Sequence, residues 1–269
     1  MSQLTPIQIS VINASTVLTD DEILPVVNAL QQQVTNDFRP AWGLDAELTF
    51  VPNGATPPAG TWWLTMLDDS DQAGALGYHD LTTDGLPLGK VFAGTDLKYG
   101  TNWSVTASHE LLEMLADPNI NLTVLVQNAN TTGTLYAYEV CDACEADTYG
   151  YKIGNTLVSD FVLPSWFEDF RAEGSTQFDQ TKNIESPLQL LSGGYIGVLN
   201  INDANGWQQI TADRKMTETL SRGNVGSRRE RRRTPREQWV TSHGQREITR
   251  RAELYRSRIH HIVARRAAA

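Results

Sequence analysis

The sequence predicts an α+β protein: a mixed twisted sheet packed on one central helix, a second β-rich part after that helix, and a basic helical tail. Three observations predict it. Short β-branched runs of strand length recur through the first two-thirds of the chain. One apolar, glycine-free run over residues 103–118 has helical period and stops at Pro118. At Arg214 the charge changes sign: residues 1–213 hold six basic and 27 acidic residues, residues 214–269 hold 16 basic and five acidic ones, and the whole chain carries −10. The 269 residues thus divide into an acidic body, 1–213, with an N-terminal part to 118 and a C-terminal part from 119, and a basic extension, 214–269.

Taken in order, residues 7–12 alternate and are β-branched enough for a strand. Thr19 and Glu22 have capping-box spacing, and Ile23, Val26, Val27, Leu30, Val34 and Phe38 then recur at helical spacing until Pro40 and Gly43 end the run. Pro25 falls near the start of that helix, where it is tolerated or kinks it. Strands follow at 47–51 and 61–67, joined by a Pro- and Gly-rich loop. Residues 74–79 and 90–94 read as two more strands about a turn at Asp84 and Gly85, leading to the central helix.

That helix carries His109, Glu110, Glu113 and Asp117. At roughly 100° per residue the i, i+4, i+8 spacing of His109, Glu113 and Asp117 sets three metal-capable groups along one stripe. Glu110 is one step off the stripe, where a carboxylate can take a proton from a metal-bound water. A solvated charged face is the ordinary meaning of such a pattern. Against it, the first 213 residues contain only two histidines, His79 and His109, and one of them sits in this leucine-rich, Glu-bearing helix.

The stretch resembles the active-site helix of zincin metallopeptidases, usually His-Glu-x-x-His, with Glu113 at the second ligand position. A carboxylate is harder than imidazole, so Zn2+ would compete there with Mn2+ or Ca2+. The strand–helix–strand–strand–edge–helix order of residues 7–118 is similar to the N-terminal half of zincins. Residues 108–118 and 139–142 also resemble a Ser-His-Glu-x-x-Glu-Met-Leu-x-Asp-Pro helix and a Glu-Val-x-Asp segment shared by a group of bacterial and phage proteins. The resemblance spans about residues 7–212. It implies a zincin-like fold in which a twisted sheet packs on the active-site helix and a peptide lies extended along an edge strand near residues 77–80. There His79 would touch the metal or polarise a substrate carbonyl, or else be a loop histidine bonded to Asp80.

Two ligands from one helical turn need a third from elsewhere. After a hairpin of strands 122–126 and 135–140, the acidic bend from Glu139 to Asp147 is the best donor, with Glu139 first and Asp142 second. Asp117 would orient a ligand from behind. Cys141 and Cys144 form a Cys-x-x-Cys that is a weak zinc or redox signal and otherwise two half-buried thiols. Tyr149 and Tyr151 can donate to a developing oxyanion or simply pack. Residues 157–170 are aromatic and read as a covering wall. A last hairpin, 195–200 with 207–211, closes the body.

Composition narrows the setting. The first thirty residues lack a signal-peptide pattern, no window approaches a membrane span, and two cysteines make no disulfide framework. A cytoplasmic protein, or one packaged into a particle, is expected. In the tail, Arg228, Arg229, Arg231, Arg232, Arg233 and Arg236 form a positive block, and Ile248, Ala252, Tyr255, Ile259 and Ile262 give the following basic stretch an apolar stripe. Nucleic acid, an anionic membrane, another protein or a second copy of this chain would suit it, as would a solvated tail without a partner. Two functions are therefore expected. One is a metal-dependent peptidase acting on a peptide or protein, and the other is a non-catalytic assembly module with an Arg-rich tail.

Overall fold

A computed structural model describes residues 6–72, 75–129, 131–202, 206–212 and 218–219. Apart from the short strand at 218–219, the basic tail and its partner surfaces lie outside the described residues. The architecture is mixed α+β. Strand β1 (Ile7–Asn13) leads to helix α1 (Asp20–Gln33), then β2 (Ala46–Val51), β3 (Trp62–Leu67), the hairpin β4 (Gly77–Leu81) and β5 (Pro87–Phe92), and helix α3 (Ala93–Tyr99). The central helix α4 spans Trp103–Ala116. A second hairpin follows, β6 (Thr123–Ala129) with β7 (Thr132–Ala137), then β8 (Tyr151–Ile153), β9 (Thr156–Val158), β10 (Tyr195–Asn200), β11 (Trp207–Thr211) and β12 (Glu218–Thr219).

The first sheet has the order β2-β1-β3-β5-β4. Its first four strands are parallel, and β4 alone runs antiparallel, as the terminal strand beside β5. Parallel neighbours need crossovers, and α1 supplies the one between β1 and β2. The second sheet, β12-β11-β10-β7-β6, is antiparallel and lies wholly after residue 118. A single apolar cluster runs from Ile9 through Leu111 and Leu112 to Val198, so the two predicted parts of the body share one core.

The capping box at Thr19 is present: its hydroxyl accepts from the Glu22 amide, and Glu22 returns a bond to the Thr19 amide. All six predicted apolar positions of the first helix are buried. The run passes Pro40, however. A π-turn at Val34–Phe38 adds a residue to the spiral, and a short helix, α2 (Arg39–Trp42), takes Pro40 in its first turn, where no amide is needed. Gly43, at φ 71°, ends it. The extension lets the Trp42 indole donate to the Val162 carbonyl.

Other boundaries moved for local reasons. Residues 93–94, expected in a strand, begin α3. The β8–β9 hairpin was not anticipated, although Gly154 and Asn155 form its two-residue turn and Gly154 takes φ 60°. The aromatic stretch after residue 157 is core rather than a wall up to Phe167, with Phe170 exposed: Phe161 and Trp166 are fully buried, and Phe38, Trp42, Tyr138, Phe161, Trp166 and Phe167 are joined by ring contacts. The long irregular segment around it stays ordered because buried carboxylates take its amides. Asp160 accepts from Phe161 and Thr181, and Asp179 from Asn183 and Ile184. Among the described residues, no helix is long and apolar enough to cross a membrane.

Helix α4 packs on β3, β4 and β5, while α1 packs on β1 and β2. Leu111, Leu112 and Met114 are fully buried, each worth roughly 1.5–3 kcal/mol of apolar burial. What fixes the rotation of α4 is polar. Ser108 donates to the Gln33 side chain at 2.6 Å and accepts from the Ser159 amide at 3.0 Å, and Gln33 donates to the Ser159 carbonyl at 2.9 Å. All three residues are buried. Replacing Gln33 by Leu strands the Ser108 hydroxyl and the Ser159 carbonyl, so urea denaturation is expected to show a loss of about 1–3 kcal/mol.

Candidate metal centre

The centre is built around Glu113. Its position four residues after His109 brings Glu113 Oε2 to 3.2 Å from His109 Nε2. Past β7 the chain bends into a one-turn helix at Asp142–Cys144, which carries Asp142 Oδ1 to 3.3 Å from the same ring nitrogen. The other Glu113 oxygen accepts from the Cys141 amide at 3.1 Å, tying the bend to the helix. His109, Glu113 and Asp142 thus form one metal-capable group.

A second group lies on the β4 side. His79 is in strand β4, not in a loop, and is fully buried. Its Nδ1 is 3.6 Å from Glu110 Oε2 and 3.8 Å from Glu113 Oε2, and its Nε2 is 3.9 Å from Glu139 Oε2. The carboxylate of neighbouring Asp80 accepts from the Leu81 amide. Glu139 and Asp142 are therefore both used, on different sides of Glu113. Asp142, the second choice from sequence, is the one that joins His109. The reason is that β7 stops at Ala137, and the turn after it aims the two carboxylates apart.

Three expected residues are not brought into either group. Helix α4 ends at Ala116, so Asp117 leaves the stripe; its carboxylate accepts from the Asn121 and Leu122 amides at 3.0 Å each. It steadies a turn in which buried Ile120 takes the left-handed φ of 55°, costly for a β-branched residue. The Tyr151 hydroxyl donates to Asp37 at 2.7 Å. Tyr149 packs against the core. The phenol that does reach the site is Tyr195 at the start of β10, whose hydroxyl bonds Asp142. Sequence gave one hint, Gly193 and Gly194 just before it: Gly194 lies directly on the Ala143 carbonyl, too close for any side chain. Cys141 and Cys144 are buried free thiols with pKa values pushed well up by burial, so they are poor nucleophiles and poor thiolate ligands.

The electrostatics of the centre are lopsided. Glu110, Glu113, Glu139 and Asp142 are all buried, yet among the described residues no lysine or arginine is. Arg39, Lys90 and Arg171 pair with Asp45, Asp71 and Glu168 near the surface. Burial opposes charge on His109, but the Glu113 and Asp142 carboxylates outweigh it and hold the ring's pKa well above its usual value. Burial likewise pushes Glu113 up, and the His109 charge reverses this and brings it down to about 2. Asp142 is raised to about 6 and Glu145 to about 8, chiefly by burial.

These residues fit a divalent cation. Donors bound at about 2.0–2.2 Å around a tetrahedral ion lie about 3.3–3.6 Å apart, and the His109 contacts of 3.2 and 3.3 Å fall at the short end of that edge. His109 is also the least covered member, its side chain 12% exposed against 1% for His79, which leaves a way in for water or substrate. Because metal-free His109 holds its proton near neutral pH and Asp142 takes one up below about pH 6, a cation must displace protons as the pH falls. Zn2+ binding is therefore expected to tighten as pH rises from 5 to 7, by up to about tenfold per pH unit for each proton released. Titration calorimetry in buffers of different ionisation heat reads the released protons directly.

No protein-family model, curated protein or solved structure matches the chain in comparisons with all three.

Proposed function

We propose that the protein is a metal-dependent hydrolase of peptide bonds with a zincin-like body. The observation that carries this reading is the meeting of His109, Glu113 and Asp142 on donor-to-donor distances of 3.2 and 3.3 Å, with Glu110 at the adjacent helical position. The first sheet supports it, since its one antiparallel strand, β4, is terminal and packs beside α4. His109, Glu113 and Asp142 would hold Zn2+, with Mn2+ or Ca2+ as alternatives given the carboxylate-rich donor set. The bound cation supplies Lewis acidity and acidifies water.

The chain's own groups do the rest. Glu110 takes the proton of the attacking water and returns it to the amine leaving group. Its carboxylate is held against β4: a Cβ added to Gly77 would lie 2.7 Å from both Glu110 Cγ and Oε1. The backbone of β4 offers an extended peptide a strand to pair with, and the Tyr195 hydroxyl, donating to Asp142, would hold that ligand in place.

Glu110→Gln is expected to bind metal as the parent does and to lose at least about 100-fold in turnover of a peptide substrate. Elemental analysis beside a peptidase assay checks both halves, and parent-like turnover removes Glu110 from its role.

A further inference from the structure

We infer that the centre is built for two cations, with Glu113 between them. The inference rests on the proposed metal site at His109. Its own evidence is the group on the β4 side: one ligand atom each from His79, Glu113 and Glu139, all within 4.8 Å of one another and all buried. Glu113 Oε2 faces both rings, at 3.2 Å from His109 Nε2 and 3.8 Å from His79 Nδ1, as a bridging carboxylate does.

Charge points the same way. Four buried carboxylates surround the centre and no lysine or arginine is buried with them among the described residues. One divalent cation leaves two negative charges uncompensated, and two cations bring the set to neutrality without protonating the Glu110 that must act as base. Two negative charges left uncompensated away from water are strongly unfavourable. With His109 holding one cation, protonation of His79 adds a single positive charge and so does not replace a second divalent ion.

The two halves carry the same donor types, one imidazole and two carboxylates, and differ in size. The His109 half is tight and suits Zn2+. The His79 half is wider, with His79 Nδ1 3.8 Å from Glu113 Oε2 against 3.2 Å for His109 Nε2. The wider spacing suits a larger ion of higher coordination number, Mn2+ before Zn2+. Two-metal hydrolytic centres share an oxygen ligand in this manner and clamp the reacting oxygens from both sides.

The test is metal stoichiometry on the full chain, stripped with chelator, reloaded with Zn2+ and Mn2+, and measured by elemental analysis and Mn2+ electron paramagnetic resonance. Two ions per chain are expected, one zinc and one manganese. His79→Ala and, separately, the conservative Glu139→Gln should each lose the manganese and keep the zinc, with unchanged circular dichroism for at least the latter. A single ion that both variants retain overturns this inference and leaves the His109 site standing. A single ion lost both in His79→Ala and in His109→Ala shows one shared site and also overturns it. No bound ion overturns the hydrolase reading as well.

Discussion

Four buried carboxylates gathered around two imidazoles, with no buried lysine or arginine among the described residues, are the constraint on which the rest of this structure depends. Water cannot solvate those charges, and the imidazoles alone match only half of them. A fold that keeps such a group must bind cations there or hold protons there. The raised pKa values of His109, Asp142 and Glu145 describe the protonated alternative. A cation converts the same unfavourable cluster into a ligand set, so binding and folding stability are linked.

Much of the surrounding structure holds that cluster in register. The Gln33–Ser108–Ser159 bonds lock the rotation of α4, so that His109 faces the bend after β7 and Glu113 lies between that bend and His79 on β4. The Cys141 amide fixes one oxygen of Glu113 and leaves the other toward the rings. At the helix start, the Asp147 carboxylate takes the backbone and side-chain amides of Asn102, an anion placed where the helix dipole favours it. Glycine matters at two close approaches: Gly77 where β4 meets Glu110, and Gly194 where the chain crosses the Asp142 turn.

The parts of this arrangement that depend on local periodicity could be read in the sequence. Helix α4, the Thr19 capping box and both main hairpins follow from spacing and turn chemistry within a dozen residues. So does the pairing of His109 with Glu113. The parts decided by long-range packing could not. Whether Glu139 or Asp142 meets His109 depends on where β7 ends, and nothing in residues 135–142 sets that boundary. Asp117 lies at the right spacing but just beyond the last helical residue, where a cap's backbone carries its side chain elsewhere. Tyr195 reaches Asp142 from more than fifty positions away, and Gln33 reaches Ser108 from 75. The aromatic run near Trp166 read as a wall because aromatic residues look the same to a sequence whether they cover a cleft or fill a second layer of core.

The most direct test of the account is anomalous diffraction at the zinc edge from crystals of the metal-loaded protein. The account predicts a peak bound by His109 Nε2, Glu113 and Asp142, with donor distances of about 2.0–2.2 Å. A peak at Cys141 and Cys144 instead, or no peak among the buried carboxylates, would contradict it.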